Sequence, residues 1–245
     1  MAAMEADWPS GKSTGWHSHP RGQLLYAIQG VMVVQLAAGS WVVPPNRALW
    51  IAAGLEHNVT MSGDVKMRTV YIDAIALGVL PEKVCVMNIS TLLRELIVAA
   101  VRVPLDYIDD SRHGRLMRLI VDELQTSDIL PLHLPIPTDS RLSFICNSLI
   151  KIPADSATAA QWAQKLGVTA KTVHRLFLKE TGMTFSQWRQ QARLLFALRQ
   201  IANGEKIIDV AFDCGYASQS AFSAMFKSHF GVSPSVFYSS ASQQR

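Results

Sequence analysis

The sequence predicts an α+β chain of two domains: a β-barrel, joined by a helical linker or dimerisation region to an all-α domain with two helix-turn-helix units. Three observations predict it. Residues 14–75 are short β-branched runs separated by turn residues. Residues 82–151 switch to apolar side chains at helical spacing, and residues 154–238 carry only helical patterns broken at glycines. The corresponding boundaries are 1–80, 81–151 and 152–245.

In the first region the expected strands are Gln23–Gln29, Val31–Leu36, Ser40–Val43, Ala48–Ile51, Asn58–Met61 and Met67–Ile72. Turns are marked by Gly30, Ala38-Gly39, Pro44-Pro45-Asn46, Gly54 and Ser62-Gly63-Asp64. Short strands at such regular spacing argue for a sandwich or barrel. Residues 24–43 carry no charge and could span a bilayer in length, but Gly30, Gly39 and the Val-rich runs make two buried strands the better reading. Met1–Trp16 holds Glu5 and Asp7 and no apolar core, so it does not read as a signal peptide. A soluble, cytoplasmic protein with no membrane partner is expected. A hydrophobic content of 49% excludes a disordered chain, and three cysteines without redox or metal spacing exclude a disulfide scaffold.

In the second region Ile89, Leu92, Leu93, Leu96, Ile97 and Ala100 recur at helical spacing behind Ser90-Thr91. Leu116, Leu119, Ile120 and Leu124 do the same after Asp109-Asp110-Ser111, with Met117 and Val121 widening the stripe. So wide an apolar surface can serve its own fold and a second copy, which makes a homodimer one expectation and a helix buried within its own fold the other. The Pro-rich stretch 130–137 cannot be helical and reads as a linker or edge strand, and a third helix is expected over Ser140–Ile150.

Charge divides unevenly. Residues 151–245 hold eleven Lys and Arg against five Asp and Glu, net +6, whereas residues 1–150 are net −2. A basic part this small suggests a polyanion partner or simply a basic surface. Here the helices are expected from Asp155-Ser156 to Leu166, from Thr169 to Glu180, from Thr184 to about Asn203, over Lys206–Cys214 and over Ser218–Phe230. Two helix pairs, Ala160–Lys179 and Ile207–Lys227, repeat one scheme around Gly167 and Gly215. A joining helix of about 18–20 residues spans roughly 27–30 Å. That suits two recognition helices in major grooves about 34 Å apart, with modest bending of the DNA.

The run Thr169-Ala-Lys-Thr-Val-His-Arg-Leu-Phe-Leu-Lys-Glu-Thr-Gly182 resembles the first recognition helix of the AraC/XylS family of transcriptional regulators. The run from Val210 to Pro234, with Asp213-Cys-Gly-Tyr-Ala-Ser-Gln-Ser-Ala-Phe-Ser at its centre, is similar to that family's second, signature half. The resemblance implies double-stranded DNA as partner, and RNA polymerase as well if the protein activates. It places Lys171, His174 and Arg175 in one major groove and Gln219, Ser220, Ser223 and Ala224 in the next, with Lys179 and Lys227 on phosphate. Many relatives carry Arg at the position of Ala224, and an aromatic-Arg pair where this chain has Phe237-Tyr238. The second helix is therefore expected to read bases weakly.

His17-Ser-His19-Pro-Arg-Gly-Gln23, then Gly54-Leu-Glu-His57, carries a further pattern. Histidines at i and i+2 of a strand share a face and can reach one ion. The spacing resembles the two cupin motifs, with Gln23 in place of the usual Glu and Ala52 in place of Pro. It implies a divalent transition metal ion on His17, His19 and His57 with Gln23 as a weak oxygen donor, the alternative being a metal-free pocket. Tyr26, Trp41, Trp50 and Tyr71 are candidates for the wall of an effector pocket or for plain core.

Together these predict a regulator, not an enzyme, whose cupin-like part senses a small molecule or metal. The alternative is a metal-dependent cupin oxygenase or isomerase with an autoregulatory DNA-binding part. Against it, Glu56 is expected to point away from His57, which leaves the three imidazoles without a neighbouring carboxylate.

Overall fold

The structure is a computed structural model that describes residues 1–45, 47–73, 80–130 and 132–237; Asn46, Pro131 and Tyr238 of the motifs above lie outside the described residues. The chain divides into two compact units, Met1–Ala37 with Trp41–His133, and Ala38–Ser40 with Leu134 onward. Residues 81–151, read above as one region, are thus shared between the two.

The first unit contains β1 (Ala2–Trp8), β2 (Gly22–Leu36), β3 (Gly39–Val43), β4 (Arg47–Ile51), β5 (His57–Ile72), β6 (Cys85–Asn88), α1 (Thr91–Ala100), α2 (Arg112–Gln125) and β7 (Ile129–Leu130). The strands pair in the order β1-β5-β2-β4-β6-β7, and β3 pairs with β2. The β1–β5, β5–β2, β2–β4, β4–β6 and β6–β7 pairs are antiparallel. A short β8 (His133–Pro135) lies within the Pro-rich stretch, and the boundary between the two units also falls there, so strand and linker readings both apply to it.

Two expected turns are instead bends within long strands. β2 runs straight through Gly30, and β5 through Ser62-Gly63-Asp64, with a register shift where Gln29 faces Lys66 and Val31 faces Ser62. Gly30 and Gly63 have φ of 79° and 73°, and a Cβ on Gly30 would sit 2.5 Å from the Asp64 carbonyl oxygen. The glycines mark a bulge in which the two strands bend together.

β1 was not expected. Its alternation is nevertheless plain, since Met4, Ala6 and Trp8 fall on one face and Glu5 and Asp7 on the other. Both acids lie within ion-pair distance of Arg68 on β5, at 3.1 and 3.3 Å. The residues 24–43 form β2 and β3, and no helix among the described residues is long and apolar enough to cross a membrane.

The period-2 rule gives the sheet two distinct faces. Leu24, Tyr26, Ala48, Trp50, Val70 and Ile72 form one core with Leu93, Ile97 and Ala100 of α1 and Met117, Ile120, Val121 and Leu124 of α2. Gln23, Leu25, Met67, Thr69 and Tyr71 point to the opposite face, where the candidate site lies. Ser90 and Ser111 cap the two helices by accepting from Leu93 N and Gly114 N. Met117 and Val121 are consumed by this core, which leaves Leu92 and Leu119 as the exposed leucines of α1 and α2.

The second unit is helical: α3 (Ser140–Lys151), α4 (Ala159–Lys165), α5 (Ala170–Thr181), α6 (Phe185–Ala202), α7 (Ile207–Asp213) and α8 (Gln219–Phe230). α4 starts later than expected because Thr158, not Asp155 or Ser156, makes the capping box with Gln161, while Asp155 Oδ1 accepts from Ala157 N in the preceding turn. Thr169, Thr184 and Ser218 cap α5, α6 and α8, and Gly182 and Gly231 end α5 and α8 at φ of 69° and 74°. Phe177, Phe185, Trp188, Leu195 and Leu198 are buried around α6. The Trp188 indole donates to the Pro135 carbonyl at 2.9 Å.

Candidate functional site

Two helix-turn-helix units share one turn. Val168 N donates to Ala163 O at 3.0 Å across Gly167, and Tyr216 N donates to Ala211 O at 2.9 Å across Gly215. The glycines have φ of 66° and 76°, where a side chain would be strained. A Cβ on Gly215 would also press on the Ala154 backbone and the Arg193 guanidinium, each 3.1 Å away. Arg193 fastens α6 to this turn region, donating to Pro153 O at 2.7 Å and to Asp155 O at 3.1 Å.

Behind each turn a helix buries one stripe and exposes the other. In α5, Val173, Leu176, Phe177 and Thr181 are buried, while Lys171, His174, Arg175, Leu178 and Lys179 are exposed. In α8, Phe222 and Phe226 are buried; Gln219, Ser220, Ala224 and Lys227 are exposed, and Ser223 is partly so. All the expected DNA-reading side chains therefore lie outside the helical core. Leu178, in line with Lys171, His174 and Arg175, was not singled out from sequence. Its place one turn beyond His174 on the same face was the available signal. Phe237 is buried against Phe226 and Phe230 and completes the core behind α8.

In the first unit the expected metal-ligating histidines converge. A short antiparallel bridge joins His17 to His57, with N–H···O distances of 3.0 and 2.9 Å in the two directions. His19 enters by the i+2 rule, and ligand nitrogens of the three rings lie within 4.8 Å of one another. His17 Nδ1 lies 2.8 Å from Gly15 O and His57 Nδ1 2.9 Å from Leu55 O. A carbonyl only accepts, so both Nδ1 atoms carry a proton, which leaves Nε2 as the nitrogen of each ring that can ligate an ion. Nε2 of His19 and of His57 is buried with no hydrogen-bond partner among the described residues. Burial, with His17 nearby, holds His19 below the ordinary imidazole range, and burial does the same for His57 against the opposing bond to Leu55. Uncharged imidazoles are the form that binds an ion.

Beside them lies a cavity of about 240 Å³, lined among others by Met4, Trp8, Gln23, Leu25, Met67 and Tyr71. Gln23 donates from Nε2 to the Tyr71 hydroxyl at 3.4 Å, and its Oε1 has no partner among the described residues. Of the expected aromatic wall, Tyr71 lines this cavity. Tyr26 and Trp50 belong to the core on the other face with α1 and α2, because Tyr26 is an odd number of residues from Gln23 and Trp50 pairs with Leu24. Trp41 stacks on His133 at 4.3 Å between ring centroids. Met4, Trp8, Leu25 and Met67 take their places. Glu56 is exposed, outside the cavity lining.

A basic pair of helix-turn-helix units following a histidine-bearing antiparallel sheet defines a DNA-binding regulator with a ligand-sensing unit. Comparison with known proteins agrees. A helix-turn-helix domain model matches residues 162–240 and a cupin domain model matches residues 4–73. The HTH-type transcriptional regulator NimR of Escherichia coli (strain K12) is 32% identical over 218 residues, 89% of this chain and 80% of that protein. RipA of Corynebacterium glutamicum, also an HTH-type transcriptional regulator, is 33% identical over 120 residues, 49% of this chain and 34% of its own. Among solved structures, ToxT from Vibrio cholerae matches 96% of both chains at 12% identity and a TM-score of 0.40. The chain belongs to the AraC-type family of helix-turn-helix transcriptional regulators, with a cupin domain before its DNA-binding domain.

Proposed function

We propose that the cupin unit holds one divalent transition metal ion on His17, His19 and His57, and that the ion, together with a small molecule in the adjoining cavity, sets how tightly the chain binds DNA. The observation that carries this is the convergence of three imidazoles, two of whose buried Nε2 atoms have no other partner among the described residues. Metal–nitrogen bonds of about 2.1 Å put neighbouring donors roughly 3.4 Å apart, so small ring rotations bring these nitrogens onto one ion. When bound, the ion supplies an electrophilic anchor for an oxygen or nitrogen of the effector. Gln23, whose Oε1 is buried without a partner among the described residues, lines the cavity beside the site.

Lys171, His174 and Arg175 read base edges in one major groove. Gln219, Ser220 and Ser223 contact the next, and Lys179 and Lys227 hold phosphate. Binding falls steeply with salt as these contacts release counterions. The exposed Leu92 of α1 and Leu119 of α2 support a homodimer, and RNA polymerase is a partner where the protein activates. Action on the chromosome implies the cytoplasm. Among the described residues lining the cavity there is no Asp, Glu or Lys, which favours binding over turnover.

The effector's influence comes through the sheet. Neighbours alternate between faces, Gln23 and Tyr71 toward the cavity and Leu24 and Ile72 into the core with α1 and α2, so a ligand that shifts the first pair displaces the second. Such a shift alters DNA affinity only if the ligand binds the two arrangements of the chain unequally. Elemental analysis tests the ion site. Wild type purified with added zinc, iron, nickel or manganese is expected to retain about one metal per chain. A His17→Ala, His19→Ala variant is expected to retain none. Absence of metal from the wild type, or equal content in both, overturns the ion site and leaves a purely organic pocket.

A further inference from the structure

We propose that the cavity beside the three histidines takes an uncharged, ring-sized molecule that donates one hydrogen bond to Gln23 Oε1 and accepts one from Trp8 Nε1. The proposal rests on reading this unit as the sensor and names the chemistry of what it senses. Besides His19 Nε2, assigned above to the ion, two unpaired polar atoms among the lining residues point to that chemistry. Gln23 is 4% exposed, its amide nitrogen is engaged by Tyr71, and its oxygen is left without a donor among the described residues. Trp8 lines the same cavity, and its buried indole nitrogen has no acceptor among the described residues. A buried acceptor and a buried donor left open cost free energy unless something pairs with them. The molecule that satisfies both carries a donor and an acceptor of its own.

Size and polarity narrow the class further. The cavity is about 240 Å³, and about 150 Å³ suffices for benzene, so one ring with a few substituent atoms fits. Met4, Leu25, Val59 and Met67 supply an apolar floor. No Lys, Arg, Asp or Glu is among the described lining residues, so with the histidine site free of metal a carboxylate or ammonium would enter without a counter-charge. A sugar fares poorly too. Thr14 already donates to Gly15 O and accepts from Val59 N, and the apolar side chains of Met4, Leu25, Val59 and Met67 offer the sugar hydroxyls no partner. A phenol or a cyclic amide meets every condition.

The test follows the Trp8 indole N–H resonance in metal-free, nitrogen-15-labelled full-length protein, identified by its loss in Trp8→Phe. Phenol and 2-piperidone are expected to move it saturably. Toluene, benzoate and arabinose are expected to bind about ten-fold or more weakly, or not at all. Gln23→Met, close in shape but without the acceptor, is expected to weaken phenol about ten-fold while leaving toluene unchanged; Trp8→Phe, followed by calorimetry, does the same through the other bond. Benzoate or arabinose binding as tightly as phenol, or no saturable shift with either neutral ring, overturns the proposal. DNA affinity measured on metal-free and metal-loaded protein from the same preparation separates the two claims. If metal alters DNA affinity but neutral rings do not bind, the sensor stands and this ligand class falls. If the rings bind and neither they nor metal alter DNA affinity, the ligand class stands and the sensor falls.

Discussion

Arg175→Ala is expected to weaken binding to a duplex selected from random sequence by about 5- to 150-fold, the loss of one bidentate base contact. Gln219→Ala is expected to cost much less. The asymmetry follows from the two recognition helices. Aligned on their buried residues, Val173 with Phe222 and Phe177 with Phe226, α5 and α8 place Arg175 opposite Ala224. A guanidinium offers two donors in a fixed fork to guanine O6 and N7, whereas Ala224 offers a methyl group and the flanking serines discriminate poorly. Arg175→Lys keeps the charge and loses the fork, so it retains non-specific binding and loses much of the preference. Quantitative mobility shifts on selected and scrambled duplexes check this. Equal losses from the Arg175 and Gln219 substitutions would sink the assignment.

Trp188→Ala is expected to destabilise the helical unit by about 3–5 kcal/mol, enough to lower its unfolding midpoint by at least roughly 10 °C. Trp188 is fully buried on α6, 6.1 Å from Phe177 between ring centroids, and its indole satisfies the Pro135 carbonyl. Because α6 joins the two helix-turn-helix units, loosening it frees both recognition helices. Trp188→Phe restores most of the volume and leaves the carbonyl without this donor, for an intermediate loss of about 1–3 kcal/mol. Thermal denaturation followed by the helical circular-dichroism signal separates them. A loss below about 1 kcal/mol for the alanine variant would mean the cavity collapses or the site is not the hub described.

The helical half was legible because its signals are local. Thr169, Thr184 and Ser218 are N-caps that need only their own first turn, and Gly182 and Gly231 end helices through backbone conformations open chiefly to glycine. The single misplaced start, at Thr158, came from choosing between neighbouring caps when the capping box with Gln161 decides. In the β half the decisive information is non-local. Gly30 and Gly63 have the composition of turns, and only the pairing of β2 with β5 makes them a shared bulge. β1 is marginal alone and persists through β5, although its alternation of Met4, Ala6 and Trp8 with Glu5 and Asp7 was there to be read.

The site shows the same division. The His17, His19 and His57 cluster follows from strand periodicity and motif spacing. The cavity wall was legible only in part. Gln23 and Tyr26 sit three apart on one strand and must face opposite ways, which places Tyr26 in the core once Gln23 is placed at the site. That Trp50 shares the face of Leu24, and Tyr71 that of Gln23, depends on register across strands, which single-strand patterns do not contain.

The central claim is that what the cupin unit holds governs DNA occupancy. The direct measurement is the affinity for a selected duplex with and without added metal, in wild type and in the His17→Ala, His19→Ala variant, at one fixed salt concentration. A change of about five-fold or more, the lower end of ordinary coupling between sites, is expected in the wild type and none in the variant. An unchanged wild-type affinity, or an equal response in both proteins, would contradict it.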